Sequence, residues 1–301
     1  MAYSKKRRRR IKKYGILGVI ATVIVAIFSY LAASGQLAAW FSDEPTAPVD
    51  GEVEFHFIDV GQGDAALIRT SEGNVLIDAG TNASEDALIA YLKAEGITEL
   101  AYAVFTHPHE DHIGGADAVL AYCEVEHVIL SPATATTETY ERMMDAIEEE
   151  DAEVFIAEPD TRYGVGDLKL TILGPIGSNY KDLNNDSVVL RADFGESSVL
   201  FTGDAEDKSE EDLLDRYALS GKLDCDVLKV GHHGSDSSTT EAFLTAVSPE
   251  MAVISCGEGN TYGHPTQIAL NRLENHDVTY WRTDLEGSVV IVSDGEDLTK
   301  E

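Results

Sequence analysis

The sequence predicts an α/β domain of two packed, mixed β-sheets with helices on their outer faces, following an apolar segment of membrane length. Three observations carry this prediction. Short apolar, β-branched runs alternate with helical patterns throughout residues 52–301. The runs fall into two β-rich halves, each with its own helices, an order that suits stacked layers around shared cores. Several runs end in loops that hold His and Asp.

The 301-residue chain is long enough for one large domain, and its first residues stand apart from that core. Residues 1–14 form a basic tail with Lys5, Lys6, Arg7, Arg8, Arg9, Arg10, Lys12 and Lys13. The 19 residues at 15–33 carry no charge. At about 1.5 Å rise per residue they just span a hydrocarbon layer of ~30 Å. Residues 15–34 therefore read as a transmembrane anchor or a signal segment. Ala32-Ala33-Ser34 and Ala38-Ala39 offer small residues for cleavage, while the length of the run favours an uncleaved anchor. The basic flank predicts a cytoplasmic N-terminus and an extracytoplasmic domain, single-pass in the cell membrane, or secreted if cleaved. Residues 35–51, with Pro45 and Pro48, read as a linker, and 52–301 as the folded domain.

The elements follow in order. Residues 53–58, 65–69 and 75–78 read as an antiparallel opening set with a turn at Glu72-Gly73-Asn74. A helix over 84–95 follows, with Ser84 as N-cap. Strand 102–105, helix 115–122, strand 127–130, helix 138–149 and strand 153–156 complete the first half. The second half has strands at 168–173, 188–194 and 198–201, then a helix at 206–217. Strand 227–230, a helix from 239, strand 251–255 and a helix from 266 come next. Strands at 278–281 and 288–292 close the domain.

Charge and cysteine narrow the function classes. Eight of the 22 basic residues precede the apolar segment and all 54 acidic residues follow it, so the exported part carries −40. Such a surface repels nucleic acid and anionic membrane at long range. No Lys/Arg cluster follows Lys13, so stable duplex DNA binding is not expected. An anionic substrate remains compatible, because a metal site carries its own positive charge. Cys123, Cys225 and Cys256 lack C-x-x-C spacing and read as packing residues, with a single disulfide left open.

The most informative stretch is Thr106-His107-Pro108-His109-Glu110-Asp111-His112. His107, His109, Asp111 and His112 fall within six residues, just after an apolar strand. Imidazole nitrogen and carboxylate oxygen suit borderline divalent ions, zinc first and manganese second. Pro108 stiffens the loop, and Gly114-Gly115 are expected to free the backbone where the next helix begins. Asp78, Asp204, His232-His233 and His264 also follow strand-like runs. Taken singly they read as helix caps or surface residues. Loops at one edge of a layered fold can nevertheless converge.

Seven segments in order then resemble the metallo-β-lactamase fold superfamily, and within it the hydrolase domain of ComEC/Rec2-type competence proteins. They are Asp59-Val60-Gly61-Gln62-Gly63-Asp64-Ala65, Leu76-Ile77-Asp78-Ala79-Gly80, the 107–115 segment, Asn184-Asn185-Asp186-Ser187-Val188-Val189-Leu190, Phe201-Thr202-Gly203-Asp204, Val230-Gly231-His232-His233-Gly234-Ser235 and Tyr262-Gly263-His264-Pro265. The resemblance implies a four-layer αβ/βα sandwich with one or two divalent ions at one edge. It implies that His107 and His109 bind one ion, Asp111 and His112 a second, and that Asp204 bridges them. His233 or His232, with His264, supplies the remaining ligand and a catalytic imidazole. Asp78 braces the ligand loop, and Asp64 either does likewise or faces substrate. Asn184, Asn185 and Ser187 stand where many members place a further His, so the first site is incomplete, weakly occupied or filled by a harder ion.

The implied chemistry is hydrolysis by a metal-activated water of lowered pKa, ~7 rather than 15.7. Asp111 orients that nucleophile, His232 or His233 protonates the leaving oxygen, and Asn185, Ser187 and Ser235 contact the substrate. Asn184-Asn185 also reads as an ordinary turn. A phosphodiesterase or nuclease acting on a phosphoester is the leading function. A carbonyl hydrolase of β-lactamase or lactonase type and a non-catalytic surface module are the alternatives.

Overall fold

The computed structural model describes residues 48–178 and 180–301. The expected basic tail, the membrane segment at 15–34 and the linker up to residue 47 lie outside the described residues. Among the described residues no helix is long and apolar enough to cross a membrane.

The first half opens with β1 (Val53–Phe57), β2 (Ala66–Thr70) and β3 (Gly73–Ile77), an antiparallel meander. Then α1 (Glu85–Ala94), β4 (Glu99–Phe105), the short α2 (Glu110–Ile113) and α3 (Ala116–Tyr122) follow. β5 (Glu124–Leu130), α4 (Glu138–Glu150) and β6 (Glu153–Ile156) complete it. The second half runs through β7 (Arg162–Val165), β8 (Leu168–Gly174), β9 (Val189–Phe194), β10 (Ser197–Phe201) and α5 (Asp207–Tyr217). β11 (Val227–Lys229), α6 (Glu241–Val247), β12 (Met251–Ile254), α7 (Gln267–Asn275), β13 (Thr279–Arg282) and α8 (Thr283–Glu286) come next. β14 (Val289–Ser293) and β15 (Leu298–Lys300) return to the first sheet.

The strands form an eight-stranded sheet, β15-β14-β1-β2-β3-β4-β5-β6, and a seven-stranded sheet, β13-β12-β11-β10-β9-β8-β7. Period-2 patterning decides which way each side chain points. Val53, Phe55 and Phe57 of β1 and Ile68 of β2 face the second sheet, where they meet Leu190, Phe201 and Val253. Phe57 and Phe201 stack across the interface at 5.8 Å between ring centroids. Leu67 and Leu76 face outward and are covered by Leu88 and Leu92 of α1, Val119 and Leu120 of α3, and Met143 and Ile147 of α4. These i, i+4 and i, i+1 helical positions make one apolar stripe per helix. Leu213, Phe243, Leu244 and Leu273 from α5, α6 and α7 cover Leu200, Leu228 and Ile254 of the second sheet. The arrangement is the four-layer αβ/βα sandwich implied by the resemblance.

Some local expectations shift. Ser84 stands at the N-cap of α1 but makes no capping bond there; Thr81 instead accepts from the Ser84 N–H. β7, α2, α8 and β15 were not anticipated, because Gly164 interrupts β7 and the other three span only three or four residues. Gly114 does not serve by a freed backbone, since its φ is −59°. It serves by absence of bulk: a Cβ there would lie 2.1 Å from the Asn82 amide nitrogen.

Topology decides where chemistry can gather. β3, β4 and β5 are parallel, as are β10, β11 and β12. The segments that follow β3, β4, β10, β11 and β12 carry Asp78, residues 106–112, Asp204, His232-His233 and Ser255. Clustering beyond the carboxyl ends of parallel strands is the usual outcome of such connections.

Candidate metal centre

Asp78 follows β3 with a φ of +60°, in the left-handed region. Its carboxylate accepts from the Thr106 N–H at 2.7 Å and the Thr106 hydroxyl at 2.7 Å, and meets His112 Nδ1 at 2.7 Å. A carboxylate can only accept, so His112 Nδ1 carries the proton and Nε2 presents a lone pair. Thr106 spends its hydroxyl proton on Asp78 and so accepts from His107 Nδ1, 3.2 Å away. That tautomer aims His107 Nε2 at His109 Nδ1, 3.0 Å distant, and toward Asp204 Oδ2 at 3.9 Å. One buried aspartate thus sets two imidazoles at once.

The second half supplies the other donors. Asp204, just beyond β10, is fixed by its own N–H donating to Ser187 Oγ at 3.1 Å. His232 and His233 both take left-handed backbone angles, φ 45° and 53°. Two consecutive L-residues in that region cost about 1–2 kcal/mol each. Strain of this kind persists only where surrounding structure overdetermines it, and it gathers at functional sites. His233 Nδ1 lies 3.0 Å from the Ser255 carbonyl, an acceptor, so its Nε2 also presents a lone pair. That atom lies 3.3 Å from Asp111 Oδ2 and 3.6 Å from Asp204 Oδ2.

Asp111, His112, Asp204 and His233 therefore offer four donor atoms, all within 4.8 Å of one another. His112 Nε2 and Asp204 Oδ1 face each other at 3.2 Å, yet each is a buried polar atom with no hydrogen-bond partner. Buried polar atoms are nearly always satisfied, and an orphaned pair of an imidazole and a carboxylate fits a divalent cation between them. The His107–His109 pair adjoins this group through Asp204.

Electrostatics agree with the geometry. Burial alone would raise the Asp204 carboxyl, but the charges of His112 and His233 hold it well below the usual carboxylate range. Burial works against the His112 charge, yet Asp204 and Asp78 push its pKa well above the ordinary value. His233 is pushed up to about 10 against burial, by Asp204 and then Asp64. His107 moves well below its ordinary value through burial and repulsion by His112. Burial would also raise Asp111, but the His233 hydrogen bond and the His112 charge bring it well down. Protons and a divalent cation compete for the same lone pairs here, so metal binding releases protons.

A cavity of about 480 Å³ opens on this cluster, lined by Gln62, Thr81, His109, Glu110, Asp111, Asn184, Asp204, His232, His233, Tyr262 and His264. His232 faces it with its Nδ1 3.1 Å from Glu206 Oε1 and its Nε2 3.7 Å from Asp204 Oδ2. Burial disfavours the charged ring, but the Glu206 hydrogen bond and the Asp204 charge raise its pKa above the ordinary value. The two adjacent histidines are thus separated: His233 joins the donor group and His232 sits at the cavity on a carboxylate. His264 is brought to the cavity but not into the four-donor group; its ring stands edge-on to His232 at 5.3 Å.

The three proposed substrate contacts are placed elsewhere, and none lines the cavity. Asn185 is buried, with its Oδ1 accepting from the Ser209 N–H and its amide facing Glu206. Ser187 is fully buried between His107 and the Asp204 N–H. Ser235 is buried and bonded to Ser237. In this structure their polar atoms have partners inside the protein, which places them behind the cavity wall. Asp64 also belongs to the support: it is buried, with Oδ1 3.2 Å from His233 Nδ1 and Oδ2 2.7 Å from Lys229 Nζ. Burial would raise its carboxyl, and the Lys229 charge is the main effect that lowers it.

Sequence reasoning missed Glu206, Glu110, Gln62 and Lys229. Glu110 caps the Asn82 N–H at 2.7 Å. Gln62 accepts from the Gly257 N–H at 3.0 Å through Oε1 and lines the cavity. Glu206 lies two residues past Asp204, a signal hidden in an acid-rich run.

Residues 58–258 match the sequence model of the Metallo-beta-lactamase superfamily. The chain belongs to that superfamily. It is 31% identical to ComE operon protein 3 of Bacillus subtilis, over 96% of this chain and 37% of the relative. It is 35% identical to Competence protein ComA of Neisseria gonorrhoeae, over 84% of this chain and 34% of the relative. Recombination protein 2 of Haemophilus influenzae matches at 34%, over 77% and 28%. This metallo-beta-lactamase-fold chain is thus ComEC/Rec2-like, and it spans about a third of the length of those relatives. Among solved structures, YhfI of Bacillus subtilis, described as a metallo-beta-lactamase fold protein, superposes with a TM-score of 0.55 at 12% identity, over 80% of this chain and 99% of that one. CmlA of Streptomyces venezuelae, described as a diiron β-hydroxylase, gives 0.55 at 13%, over 86% and 55%. At that identity the likeness is one of fold.

Proposed function

We propose that this chain is a metal-dependent hydrolase of phosphodiesters, acting outside the cytoplasmic membrane. The observation that carries the reading is the His232–Glu206 pair. An imidazole outside the four-donor group is held on a carboxylate, at the cavity, with its Nε2 3.7 Å from the carboxylate that joins the two halves. That is the placement needed to give a proton to a departing alkoxide.

Asp111, His112, Asp204 and His233 would hold the first ion, and His107, His109 and Asp204 adjoin it for a second. When bound, a divalent ion supplies Lewis acidity, activating water and polarising the ester oxygen. The chain's own residues do the rest. Asp78 and the Ser255 carbonyl fix the tautomers that free His112 and His233 Nε2. Glu206 holds the His232 ring in place and favours its protonated form. His232 then delivers its proton to the leaving oxygen, a step worth about 10²–10⁴-fold. Gln62, Tyr262 and His264 line the remaining wall. No Lys or Arg lines the cavity among the described residues, and the domain is strongly acidic, which supports a short or singly charged ester over long duplex DNA.

Location belongs to the same reading. The basic block before the uncharged 15–33 run supports an inserted segment with the domain outside, and protease accessibility in intact cells tests it. For the chemistry, the chain is assayed with zinc and with manganese on bis-p-nitrophenyl phosphate, a single-stranded oligonucleotide and nitrocefin. Phosphodiester turnover that is lost in Asp204→Asn and His109→Ala, with both variants folded, is expected. Turnover of nitrocefin alone would replace this reading with the carbonyl-hydrolase one.

A further inference from the structure

Lys229 ends β11, in the interior of the second sheet between β10 and β12, and its side chain is 4% exposed. Its ammonium lies 2.7 Å from Asp64 Oδ2 and 2.9 Å from the Val230 carbonyl. Asp64 belongs to the other half of the chain, in the loop between β1 and β2. The contact is therefore a buried ion pair that ties the two halves beneath the donor group.

Stability does not account for such a pair. Desolvating two charges cancels most of their attraction, and apolar residues of equal volume commonly do as well. What sets Asp64 apart is what else it holds. Its Oδ1 lies 3.2 Å from His233 Nδ1, its N–H donates to the Asp111 carbonyl at 3.0 Å, and its carbonyl accepts from the Gly80 N–H at 2.8 Å. Gly63 approaches so closely that a Cβ there would lie 2.5 Å from the Asp111 carbonyl oxygen. One residue thus touches the backbone of one donor and the ring of another, and those donors meet at 3.3 Å.

We propose that Lys229 is a positioning residue of the metal centre: its buried ammonium holds Asp64, whose carboxylate stands against the His233 ring and whose backbone N–H holds Asp111, so that one residue registers the two donors against each other. The Ser255 carbonyl takes the His233 Nδ1 proton, and the Asp64 carboxylate 3.2 Å from the same nitrogen sets a negative charge behind the ring that strengthens its donor atom. Without the ammonium, Asp64 is a buried charge free to turn toward the cation or toward solvent. The inference concerns metal binding and holds whichever ester the site cleaves.

The test uses the full chain with cobalt as spectroscopic probe and zinc in competition with a chelator. Lys229→Met leaves Asp64 uncompensated and is expected to fold poorly. The double variant Asp64→Asn, Lys229→Met removes both charges at matched volume and is expected to fold. If the pair positions donors, the double variant still binds zinc about 10–100-fold more weakly. Its cobalt absorption also shifts, because the ligand field has changed. Lys229→Arg, which keeps the charge, is expected to recover part of the affinity. Wild-type zinc affinity and an unchanged cobalt spectrum in the double variant would overturn the proposal and leave the pair a tie between sheets. Weakened zinc binding in the double variant of a chain whose wild type turns over no phosphodiester would count against the function proposed above and leave this inference standing.

Discussion

Asp78→Asn is the sharpest single perturbation of this site. Asp78 Oδ1 accepts the Thr106 N–H, and Oδ2 takes both the Thr106 hydroxyl and His112 Nδ1. Asparagine keeps the shape but replaces one acceptor with two donors. If its NH₂ faces the Thr106 N–H, a buried amide loses its partner, at about 1–3 kcal/mol of stability. If its NH₂ faces His112, Nδ1 must become the acceptor and the proton moves to Nε2. That proton then points at Asp204 Oδ1, 3.2 Å away, and blocks the lone pair a metal needs. Loss of such a supporting partner typically lowers metal affinity about 10–100-fold, about 1.4–2.7 kcal/mol. The two orientations therefore predict loss of stability or loss of affinity, and no orientation spares both. Urea unfolding of the metal-free chain reads the first, and zinc–chelator competition reads the second. A variant with wild-type values in both would show that Asp78 does not set the His112 tautomer.

The remaining predictions are simpler to state. Glu206→Gln removes the charge that holds His232, so turnover should fall about tenfold or more for an alkyl phosphodiester and little for one with a p-nitrophenolate leaving group, which needs no proton; equal losses on both would remove His232 from the proton-donor role. Burial raises the Glu210 carboxyl from its ordinary 4.5 to about 7, against the hydrogen bonds from Thr239 and Thr240. Between those values the folded chain binds more protons than the unfolded chain, so this group's contribution falls as pH rises from 4.5 through 7, by at most about 3 kcal/mol. The stability difference between wild type and Glu210→Gln should change over that window, and a difference independent of pH would contradict it. Chelation of the divalent ion should lower the thermal midpoint, and readdition at a hundredfold excess over Kd should restore about 2.7 kcal/mol; identical melting with and without metal would mean that the donor group holds no ion.

Much of the fold was legible because strands and helices announce themselves locally. Alternation in Val53–Phe57 and the i, i+4 spacing of Leu88 and Leu92 need no knowledge of partners. The same holds for His107, His109, Asp111 and His112, whose spacing is itself the signal. Short or glycine-broken elements such as β7 and β15 were invisible, since their pairing comes from neighbours and not from their own pattern. The inward placement of Asn185, Ser187 and Ser235 was hidden for a related reason. A polar residue near a ligand motif looks alike whether it faces a cavity or a buried amide.

The sequence by itself determined the layered α/β architecture, the candidate donors of the first histidine segment and the excess of acidic residues, because each is written in local pattern or composition. Tertiary structure alone decided that His233 joins the donors while its neighbour His232 stands on Glu206, and that Lys229 meets Asp64. Those outcomes depend on two left-handed backbone residues and on contacts between distant positions, 26 residues apart for His232 and Glu206 and 122 for His233 and Asp111. Only close packing of the two sheets selects them.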